Sequence, residues 1–155
     1  MSRSLKKYAL AAEIIGAIAV VVSLIYVAVS VNQNTKALMV ANHQAIVAME
    51  QDSIDWFKDP DFVASYADSL DDINNLSSVQ WGQVESWIAG QFNVWEFAFL
   101  THDNGMMEDN VWEGYDNHFR TVLKQPGRLR FWSEGQEGFS PAFRMYVDSI
   151  LAVAE

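Results

Sequence analysis

The chain has 155 residues, half of them hydrophobic, with 10 basic and 20 acidic side chains for a formal net charge of -10, and no cysteine. That length suits one domain plus one membrane segment, and the missing cysteines exclude a disulfide framework, thiol catalysis and cysteine-ligated zinc. Arg3, Lys6 and Lys7 precede the first apolar run and Glu13 lies inside it, so residues 32–155 carry 7 basic and 19 acidic groups. A body this acidic is repelled by phosphate backbones and by anionic headgroups, which argues against nucleic acid as a partner and for a head that stands off the bilayer.

Residues 8–31 read YALAAEIIGAIAVVVSLIYVAVSV, and residues 14–31 form an uncharged apolar run of 18. About 20 such residues cross the hydrocarbon core as a helix, and a soluble core helix is rarely this long and apolar on every side. A signal peptide is the rival reading, since Ala28-Val29-Ser30 resembles a small-residue cleavage site. The run exceeds the ~7–15 residues of a signal-peptide core, so an uncut transmembrane helix is expected, with membrane lipid as its first partner. Three basic residues lie before the run and only Lys36 lies close after it. The positive-inside rule then gives a cytoplasmic tail over 1–7, a transmembrane helix over 8–31 and an exported remainder, which in a bacterial inner membrane means the periplasm.

Glu13 is about five residues inside the cytoplasmic end, some 7–8 Å at 1.5 Å per residue. Helical side chains lean toward the N-terminus, here toward the headgroups, and Lys6 lies roughly two turns earlier on nearly the same face. The first reading of Glu13 is a snorkelling carboxylate with lysines nearby. A buried polar contact to another subunit is the second, and a proton or ion site the third. Ala12, Gly16, Ala19, Ser23 and Ser30 follow spacings of 4, 3, 4 and 7, a stripe of small residues that suits close helix–helix approach in lipid.

The helix is expected to continue as a stalk over 32–57, because no Gly or Pro interrupts it before Pro60 and Leu38, Ala41, Ala45, Ala48 and Met49 recur at helical spacing. Asn34, Thr35, Leu38, Ala41 and Ala45 are the candidate stalk interface. Residues 58–155 are the acidic helical domain. Asp59-Pro60 restarts a helix with Phe62, Val63, Tyr66 and Leu70 on one face, and residues 71–75 connect it to the next. Ser77 and Gln80 fit a capping box. The helix they open carries Trp81, Val84, Ile88, Phe92, Trp95 and Phe99 on one stripe and Trp87, Val94 and Phe97 on others, which places it centrally.

His102-Asp103-Asn104-Gly105 reads as a turn, followed by a helix with Val111, Trp112, Tyr115, Phe119, Val122 and Leu123 on its apolar face. Pro126-Gly127 breaks it, and Leu129, Phe131 and Trp132 suggest one helical turn in a looser segment to Gly138. Ser140-Pro141 opens the last helix, with Phe143, Tyr146, Val147, Ile150 and Leu151 buried. No period-2 run reads as a strand. The fold class is all-α, an anchor-plus-stalk helix packed against a small bundle of about four helices.

The run EIIGAIAVVVSLIYVAVSVNQNTKAL resembles the start of a broad group of small bacterial single-pass membrane proteins, with their Glu-Ile-x-Gly-Ala opening, Ser-Leu-x-Tyr and Asn-Thr-Lys/Arg-Ala close. FSPAFRMYVDSIL is similar to their Phe-Ser-Pro-x-Phe terminal helix. The resemblance implies a membrane-anchored helical domain and supplies no catalytic residues.

His43, His102 and His118 lack the Glu-x-x-His and His-Glu-x-x-His surroundings of di-iron and zinc sites. The acidic stretch Asp103, Glu108, Asp109 and Glu113 lacks the ligand spacing of an EF-hand, so a solvated turn is the default. Neither a nucleophile elbow nor a phosphate-cradling glycine loop is present. The expected function is non-enzymatic, without cofactor: assembly with copies of itself or with another membrane protein. The runner-up is a periplasmic sensor or binding domain for a small apolar or amphipathic ligand, and a membrane-anchored enzyme comes third. Core packing accounts for most of the Trp, Phe and Tyr.

Overall fold

The structure, a computed structural model, describes residues 3–153, with the side chains of Arg3, Ser4 and Lys6 outside that description. Most of the expected tail over 1–7, and the Lys6 expected to accompany Glu13, therefore fall on residues or side chains not described. Among the described residues the chain is helical and has no strand. Helix α1 spans Arg3–Ile54 and tightens into a 3-10 turn at Asp55–Lys58, near the expected end of the stalk. The chain divides into two compact units, Met1–Leu38 and Met39–Glu155. The described residues of the first all belong to α1. The last part of α1, from Met39, belongs with the helical domain.

In that domain α2 (Pro60–Asp71) starts where Asp59 accepts the Asp61 N–H at 2.9 Å, and Pro60 takes the first position, where no amide donor is needed. Helix α3 (Ser78–Asp103) opens on the expected box: Ser77 Oγ accepts from the Gln80 N–H, and Gln80 Oε1 accepts from the Ser77 N–H at 3.0 Å. Gly105 adopts φ +69°, the left-handed turn conformation that a side chain would strain. Helix α4 follows over Asp109–Val122. The segment after Pro126 is a full helix, α5 (Pro126–Gly135), and Pro126 opens it as well as ending α4. Helix α6 (Pro141–Ala152) starts on Ser140, whose own N–H is held by Glu96 Oε1 at 2.7 Å. Among the described residues five shorter α-helices accompany the end of α1, where the pattern gave about four.

Helix α3 is central and packs against α2, α4, α5 and α6. Its Phe92 is fully buried, and the rings of Trp95, Phe119, Phe131, Trp132 and Phe139 lie 5.0–5.8 Å from its own. Burying such a side chain contributes about 2–3 kcal/mol, and each well-placed aromatic pair adds about 0.5–1.5 kcal/mol. Much of the aromatic surplus is spent in this core. A smaller cluster, Ile46, Val94, Ala98 and Met107, fixes the end of α1 against α3 and the start of α4.

Candidate functional site

Two regions are candidates: the apolar length of α1, and the seam where the end of α1 meets α4. Within the first unit, α1 contains a stretch long and apolar enough to cross a membrane, exposed among the described residues. Ala12, Gly16, Ala19 and Ser23 are exposed and Ser30 is partly covered. The Ser23 hydroxyl donates to the Ala19 carbonyl at 2.8 Å, and Thr35 donates to Val31 at 3.1 Å. Both hydroxyls are therefore satisfied within the helix. A methyl group at Gly16 would meet nothing within 4 Å, so packing within this chain does not explain the glycine. Glu13 and Asn34 are exposed, as are Leu38, Ala41 and Ala45.

The face of α1 that packs in the second unit is a different one. Met39, Asn42, Ile46, Glu50 and Ser53 are covered, at spacings of 3, 4, 4 and 3, and Ile46 is fully buried. The Ala41–Ala45 seam is left open. Three of these covered residues are polar, so the stripe carried no hydrophobic signal; only its spacing could have revealed it.

Between this face and α4 lie two adjoining hollows. The first, of about 290 Å³, is lined by Met39, Val40, Asn42, His43, Gln44, Met106, Met107, Glu108 and Val111. The second, of about 370 Å³, is lined by Glu50, Val111, Gly114, Tyr115 and His118. Burial pushes the Glu50 carboxyl above its ordinary range, and His118 and His43 offset part of that rise. Burial, and then the charge of Glu50, push the Tyr115 phenol up. Among the described residues Glu50 enters no ion pair. Sequence reading tested the histidines only against metal motifs and so missed Glu50 and the methionine pair Met106-Met107. Among the described residues, no three His, Asp or Glu side chains converge to hold a metal ion. The acidic turn instead pairs His102 with Asp109 at 3.1 Å, the His102 ring stacked on Trp112.

One further charged group is internal. Arg128 is 3% exposed, its guanidinium 5.2 Å from the Trp87 ring and 4.9 Å from the Trp95 ring. Its Nε donates to Gln125 at 3.0 Å, and Nη1 has no partner among the described residues. Burial lowers its pKa to about 10, so it is still a cation at neutral pH. Wedged among rings, it holds α5 to α3. Another tie is Asp116, which accepts from Arg120 Nε at 2.8 Å and from the Tyr146 hydroxyl, joining α4 to α6.

No family model, no curated protein and no solved structure matches the chain.

Proposed function

We propose that the chain is a non-enzymatic, single-pass protein of a bacterial inner membrane whose acidic helical head lies in the periplasm and mediates assembly, with copies of itself or as an accessory subunit of a larger membrane complex. The observation that carries this reading is Gly16. Glycine inside a helix costs about 1 kcal/mol relative to alanine, and among the described residues a methyl group at Gly16 would meet nothing within 4 Å. A neighbouring transmembrane helix packed on the Ala12, Gly16, Ala19 and Ser23 stripe gives the glycine a reason. The exposed Leu38, Ala41 and Ala45 face leaves a second surface open on the stalk. The three basic residues before the apolar run, and the likeness of both chain ends to small bacterial membrane proteins, support the placement.

The test is native mass spectrometry of the protein extracted from its membranes in mild detergent. An oligomer or a stoichiometric partner is expected, and Gly16→Leu or Ala19→Leu is expected to reduce its size. A clean monomer that neither substitution alters contradicts the reading.

A further inference from the structure

The seam between α1 and α4 carries chemistry that the assembly reading does not use. Its first hollow is walled by the thioether side chains of Met39, Met106 and Met107 together with Val40 and Val111, and Glu108 lies at its edge. Unbranched, polarisable thioethers adapt to apolar bodies of irregular shape. The second hollow shares Val111 and adds Glu50, Tyr115 and His118. Glu50 is half-buried, and none of the ion pairs among the described residues includes it. A carboxylate partly withdrawn from water and outside any ion pair is complemented by a cation. The excess of 19 acidic over 7 basic groups beyond residue 31 raises the local concentration of cations and disfavours anions.

We propose that this seam binds a small amphipathic cation, its apolar body in the methionine-lined hollow that Glu108 borders and its charged head toward Glu50 in the adjoining hollow. His43 lines the first hollow and His118 the second. An anionic amphiphile is rejected by the carboxylates, and a neutral one lacks the charge interaction. Nothing here depends on how the anchor assembles, because the site lies wholly within Met39–Glu155.

The test uses the full chain in phosphatidylcholine nanodiscs, with carbon-13 in the methionine methyl groups, titrated with hexyltrimethylammonium. 1-Hexanol and hexanoate are the neutral and anionic controls, and empty nanodiscs correct for partition into lipid. Saturable shifts are expected at Met39, Met106 and Met107 but not at Met49 or Met145, with affinity in the order cation, alcohol, carboxylate. The double substitution Glu50→Gln with Glu108→Gln is expected to weaken binding about tenfold, the scale of a partly screened charge–charge attraction. Glu108→Gln alone, at an exposed position, should weaken it several-fold while leaving the Met49 and Met145 signals in place. Equal responses to all three probes, shifts spread over all methionines, or unchanged affinity in both variants overturn the proposal.

Discussion

The Trp87 indole N–H donates to the carbonyl oxygen of Ser53 at 3.2 Å, tying the middle of α3 to the last turn of α1. The last four carbonyls of a helix have no partner within it, so this bond satisfies a group that helix geometry leaves open. Gln91 reinforces it with an Nε2 donation to Ser53 Oγ at 2.6 Å. Trp87→Phe removes the donor and part of the ring that Phe57, Tyr66 and Arg128 rest on. A loss of about 2–3 kcal/mol in urea unfolding is expected, with helical content in the native state unchanged.

Arg128 separates charge from shape. If the guanidinium acts mainly as a packed, ring-stacked body, Arg128→Ala opens a cavity between Trp87 and Trp95 and costs about 2–4 kcal/mol. Arg128→Met keeps the length and drops an incompletely partnered buried charge, so it should lie within about 1 kcal/mol of the parent. Chemical denaturation of the two variants side by side checks the difference. Equal losses would mean that the charge itself is needed.

Glu50 gives a pH dependence with a definite sign. Its folded carboxyl holds a proton to higher pH than the unfolded one, because burial penalises the charged form. The contribution of this group to stability is therefore fully present below the unfolded pKa and is lost as pH rises through the higher folded value. Glu50→Gln removes that loss. The variant should be more stable than the parent at pH 7 and match it at pH 4. The half-exposed position keeps the gain under about 1 kcal/mol through solvent screening. Urea titrations at the two pH values measure it, and a difference that does not change with pH would contradict the assignment.

What the sequence disclosed was local chemistry. The starts of α2, α3 and α6 follow from Asp59-Pro60, Ser77 with Gln80, and Ser140-Pro141, because a cap needs only its own first turn. The central place of α3 was legible because apolar residues cover several of its faces. Helix α5 was not. Gln125 makes no side-chain cap, and Gly127 and Gly135 weaken the local preference. Its cause is tertiary: Gly127 brings α5 so near α3 that a methyl group there would lie 3.3 Å from Ile88 Cδ1. The packed face of α1 was hidden for a related reason. Asn42, Glu50 and Ser53 are drawn in by α3 and α4 rather than by any hydrophobic period of their own.

The proposed placement of residues 14–31 in lipid as part of an intact chain is tested most directly by alkaline carbonate extraction of native membranes followed by intact mass measurement. An uncut membrane helix predicts that the intact chain stays in the washed membrane pellet. Release into the supernatant, or a retained species whose mass begins near Val31, would contradict it.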